Sequence, residues 1–228
     1  MKNSIVYICF IVLAGLSVVK PFIRSDGDGV CLAQEQKVSN VTVLECIQKL
    51  FDHSYDDPKS MTSGRSQAAI DLGFQKDTSA VMPLIKVLEE DEYNDVRKSA
   101  AYALGMLRDK RAVTVLVNAL NDKCVGVQLE AAGSLISLGM TYDEKVFLKL
   151  EEIARGKNQK QWDINGFFGI LRTPEREQNL KDYLRAGAIL YLGEIKTEKT
   201  KQVIESLTSD TSQIVRESAQ NVLKKIKE

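Results

Sequence analysis

One pattern, V-R-x-x-A-A-x-A-L-G-x-L, returns along most of this chain and limits it to very few folds. Its fullest copy runs Val96-Arg97-Lys98-Ser99-Ala100-Ala101-Tyr102-Ala103-Leu104-Gly105-Met106-Leu107. Other copies begin at Gly64-Arg65, Val127-Gln128, Leu184-Arg185 and Val215-Arg216. Arg65 and Arg97 lie 32 residues apart, and Arg185 and Arg216 lie 31 apart. A fixed period of that length marks a stack of small helical units. Within each copy the apolar residues fall at helical spacing on one face. The alanines are small, which lets a second helix come close.

Residues 95–122 read as helix, tight turn, helix. Asp95 stands where an N-cap carboxylate would accept a backbone N–H. Val96, Ala100, Ala103, Leu104 and Leu107 form one apolar face, and Val113, Val115, Leu116, Ala119 and Leu120 form the next, across the turn Arg108-Asp109-Lys110-Arg111. Such a hairpin cannot bury both faces alone and needs neighbours. The expected fold is an all-α, right-handed α-solenoid of stacked antiparallel helix pairs covering 34–228. The recurring Arg, Ala-Ala, Leu and Gly resemble HEAT repeats, in the short HEAT-like class also found in phycobilisome lyases, from about residue 42 to the C terminus. Gln128 in place of Arg, Ile136 and Lys224 in place of Gly, and Asp71 in place of Ala depart from the pattern. The resemblance implies that the V-R helices line a concave side. It also implies that the Arg row makes structural contacts, with Asp77, Asp95 and Asp109 available as partners.

The period breaks once. Gln128 and Arg185 are 57 residues apart, which leaves room for an insert or degenerate repeat at about 157–183. A helix over 142–154 precedes it, carrying Val146, Phe147, Leu150 and Ile153. Thr173-Pro174-Glu175 reads as a new helix start, with Pro at the first helical position. Between them, Trp162, Phe167 and Phe168 either pack as the core of a degenerate repeat or present aromatic anchors on a binding loop.

The N terminus reads as a targeting segment. Lys2 precedes a fifteen-residue apolar run at 5–19, within the range of a signal-peptide core and short of a spanning helix. Residues 1–33 are therefore expected to be a signal peptide, or an uncleaved N-terminal membrane anchor with a linker. The repeats then face an exported compartment, periplasmic or secreted. Lys plus Arg equals Asp plus Glu at 31 each, so no basic face for nucleic acid is expected. Cys46 and Cys124 are expected to be buried thiols. His53 is the only histidine and lies in a polar loop, which speaks against a histidine-based metal site and leaves no Ser-His-Asp or Cys-His arrangement elsewhere.

The expected function follows by class: a protein–protein interaction scaffold or assembly factor, not an enzyme, with no cofactor and with another protein as partner. Membrane contact would come only through an uncleaved anchor. Candidate partner-binding residues are Ile70, Lys98, Tyr102, Leu129 and Leu190 on the variable face of the V-R helices, with Trp162, Phe167 and Phe168 from the insert. The alternative, implied by the resemblance, is a lyase-like or chaperone role toward a chromophore.

Overall fold

In the computed structural model the described residues are 42–56, 64–141, 143–157 and 173–227. The expected targeting segment and Trp162, Phe167 and Phe168 lie outside them. Among the described residues there are ten α-helices and no strand. They are α1 (Val43–Leu50), α2 (Gly64–Gln75), α3 (Val81–Glu90), α4 (Asn94–Leu107), α5 (Val113–Ala119), α6 (Val125–Ser137), α7 (Glu144–Ala154), α8 (Pro174–Ile195), α9 (Glu198–Ser206) and α10 (Gln213–Lys227). The part of the expected insert that is described, 173–183, contains no separate unit. It supplies the Thr173 cap and the first turns of the long helix α8, with Pro174 at its start.

Local chemistry sets the ends of these helices. Lys76, Arg108 and Lys196 adopt left-handed backbone angles just after α2, α4 and α8. That conformation stops a helix and satisfies its last carbonyls. The next residue then opens the following element. Asp77 accepts the Ser79 N–H, Asp109 accepts the Arg111 N–H, and Thr197 accepts the Thr200 N–H. Asp95 is not such a cap: it lies inside the first turn of α4, whose N-cap position is Tyr93.

The pairs are framed differently from the expected hairpin. Helix α4 packs on α3, not on α5, and the packed pairs are α1–α2, α3–α4, α5–α6, α7–α8 and α9–α10. The pattern-bearing helices α2, α4, α6, α8 and α10 also pack consecutively on one another, forming one layer. The turn at Asp109 therefore links repeats, while the packed pair meets across the Asp91–Tyr93 link. The result is an all-α solenoid. Its core runs continuously from Cys46 and Leu50 to Val215 and Val222. The pattern glycines sit where layer helices touch. A Cβ on Gly73 would lie 3.0 Å from Ala103 Cα, and one on Gly105 would lie 2.9 Å from Ser134 Cα. Side chains there would force the helices apart.

The Arg row is structural, as expected, but its partners are other aspartates. Arg97 forks onto Asp122, with Nε and Nη2 each 2.9 Å from a carboxylate oxygen, while Nη1 donates to the Asp91 and Glu92 carbonyls. Arg65 donates to the Leu50 carbonyl and pairs with Asp56 and Asp91. Arg185 donates to the Ala154 carbonyl and pairs with Asp210, and Arg216 donates to the carbonyls of Asp210 and Thr211. Each of these aspartates also caps the link ahead of it. Asp91, Asp122 and Asp210 accept the N–H groups of Tyr93, Cys124 and Ser212. One carboxylate thus binds the Arg of the preceding repeat, and its own carbonyl binds the Arg, or Gln128, of the next.

The ladder has one gap. Gln128 replaces the Arg, and Ile153, buried, stands 25 residues on, the offset at which Arg97 finds Asp122 and Arg185 finds Asp210. Both partners of that rung are absent together, which avoids a buried unpaired charge.

Breaking a rung by one partner is expected to be severe. Asp122→Asn should lower unfolding stability by about 3–5 kcal/mol, because Arg97 keeps its buried charge. The double variant Arg97→Gln, Asp122→Asn, which imitates the natural gap, should recover most of that loss. Urea unfolding followed by circular dichroism measures both.

Candidate functional site

The layer of α2, α4, α6, α8 and α10 has one side against its partner helices and one side turned outward. Helical spacing puts Lys98 and Tyr102 of α4 on the outward stripe, and both are half-buried. On the neighbouring α6 the outward residues are Glu130 and Gly133, and on α8 they include Leu190 and Tyr191. Gly133 has no side chain, and the Tyr191 ring occupies the space that a Cβ there would take. From that position the Tyr191 hydroxyl donates to Glu130 Oε2 at 3.2 Å. Three consecutive layer helices thus converge on one carboxyl group.

Its surroundings shift the titration of Glu130, Tyr102 and Tyr191. Glu130 is half-buried by area, but enough protein surrounds its carboxyl that burial raises it above the ordinary carboxylate range, outweighing the Lys98 charge and the Tyr191 hydrogen bond. Burial, with the Glu130 charge second, pushes the Tyr102 phenol up to about 12. Burial raises the Tyr191 phenol well above its usual value, with Glu130 adding to the effect. A carboxyl kept ready to hold a proton beside two un-ionised phenols and an ammonium can accept, donate and orient protons. A Gln would make the same bond to Tyr191 without burying a charge. Retaining Glu where it is destabilised marks a candidate functional group.

The sequence-predicted residues divide as follows. Lys98 and Tyr102 belong to this cluster. Leu190 is half-buried against the core next to Tyr191, and Ile70 is half-buried on α2. Leu129 is a correction: it is 2% exposed and belongs to the core. Helix α6 is packed by α4, α5, α7 and α8, so even a position that faces outward in α4 is covered there. Sequence reasoning missed Glu130 and Tyr191, which are separated by 61 positions and share no motif. The available signal was a tyrosine at the pattern position that Asp71, Ala103, Ser134 and Val222 hold in the other copies, together with the glycine at position 133.

The sign of the Glu130 shift gives a stability test. A folded-state carboxyl raised above its unfolded value of about 4.3 stabilises the fold below that pH and loses the contribution as pH rises through the folded value. Glu130→Gln should therefore be more stable than wild type at pH 8, with the gap closing by pH 4. Thermal melts across that range provide the comparison.

Comparison with known proteins fits this architecture. The family described as HEAT repeats matches residues 47–137 and 81–160, together half of the chain. The bilin biosynthesis protein PecE of Nostoc sp. is 44% identical over 73 residues, which are 32% of this chain and 29% of PecE. The chain thus spans less than a third of the length of that curated relative. The similarity overturns the expectation that the chain is not an enzyme. That expectation rested on the single histidine and the lack of a Ser-His-Asp or Cys-His arrangement. On the repeated pattern, the stacked helix pairs and the extent of the match, the chain belongs to the HEAT-repeat family.

Proposed function

We propose that this HEAT-repeat scaffold works in an exported compartment and holds a protein partner on the outward face of the layer α2, α4, α6, α8 and α10. The observation that carries the reading is the convergence of Tyr102, Glu130 and Tyr191 from three repeats on that face. Phe74 on α2, 50% exposed, extends the same face with apolar surface. Tyrosines combine a rigid apolar body with a polar tip, which suits a protein contact.

Similarity to a bilin biosynthesis protein favours a second reading, in which the same face handles a bilin, a linear tetrapyrrole. Pyrrole N–H groups, basic ring nitrogens and propionate carboxylates are groups that a carboxyl, phenols and an ammonium can bind. The readings are compatible if the bilin arrives on, or leaves with, the protein partner.

Affinity capture with the full chain, compared with Tyr102→Glu, Phe74→Glu after circular dichroism shows it folded, tests the first reading. The expected result is a partner retained at least tenfold better by wild type. Equal capture by both forms would remove the outward face as the docking surface.

A further inference from the structure

We propose that Glu130 is the proton donor and counter-ion for a basic ring nitrogen of a linear tetrapyrrole held between Tyr102 and Tyr191. The inference rests on the bilin reading and assigns its chemistry to a residue. Glu130 lies on the central one of three consecutive layer helices, and the phenols come from the helices on either side. The absence of a side chain at Gly133 is what allows Tyr191 to lie across α6 and reach the carboxyl. The face of α6 turned toward α5 and α7 is apolar, with Val127, Ala131 and Leu135 buried. Among the described residues, the charged and titratable groups that act on Glu130 or respond to it are Lys98 and Tyr102 from α4 and Tyr191 from α8.

The transfer balances without another reactant. In its protonated form the carboxyl gives its proton to an imine-type ring nitrogen, leaving a carboxylate and a ring cation side by side. Nothing is oxidised or reduced, and no carbon bond forms or breaks. Tyr191 O–H and the Lys98 ammonium both favour the carboxylate produced, while the neighbouring ring cation keeps it paired. Among the described residues the cysteines, Cys46 and Cys124, are buried in the core, and the assignment is to proton transfer.

The test uses the full chain with biliverdin as probe and follows the visible spectrum, which reports ring protonation, from pH 5 to pH 9. Wild type, Glu130→Gln and Tyr191→Phe are compared after each is shown to be folded. Bound biliverdin should hold its proton at least tenfold more tightly in wild type than in Glu130→Gln, a shift of one pH unit or more. Tyr191→Phe, which keeps the carboxyl, should fall between them. If wild type and Glu130→Gln bind biliverdin with the same titration, the role of Glu130 is overturned and the bilin reading stands. If wild type shows no spectral change with biliverdin at any pH, both fail together.

Discussion

The fork of an arginine onto the aspartate of the next repeat is the contact on which the order of the array depends. Alanine faces and glycine contacts bring the layer helices close, but apolar packing alone tolerates sliding and rotation. The Arg97–Asp122 pair does not, because two parallel hydrogen bonds fix both distance and angle. The same aspartate caps the Cys124 N–H and offers its carbonyl to Gln128, so each link between paired helices is held by the repeats on both sides. Burial would make any of these charges costly alone. Their mutual satisfaction turns a liability into a register mark.

Sequence reading reached the fold because its signal is local and repeated. Arg65, Arg97, Arg185 and Arg216 announce themselves by period, and the assignment of that row to structure holds. The partners were not legible. Asp91, Asp122 and Asp210 sit 25 or 26 residues from their arginines, whereas the closer Asp77 and Asp109 cap turns instead. The packed pair was also misframed, since adjacency along the chain made α4 and α5 look like a hairpin, although α4 packs on α3.

The candidate site shows the same division. Lys98 and Tyr102 could be placed outward because α4 follows the pattern closely. Leu129 could not, because the crowding around α6 is tertiary and no periodicity reveals it. No sequence motif marks Glu130. Its environment arises only when α8 crosses Gly133, and that crossing comes after the one break in the period.

The gap at Gln128 and Ile153 has a mechanical consequence. Rungs stiffen the stretch from Arg65 to Asp122 and the stretch from Arg185 to Arg216, so the solenoid behaves as two beams joined by a softer coupling between α6 and α8. Bending or torsion applied at the ends concentrates in that coupling. Tyr191 and Glu130 bridge it directly, like a strain gauge mounted across a flexure. A change in the angle between the two beams would therefore register first in the Tyr191–Glu130 hydrogen bond.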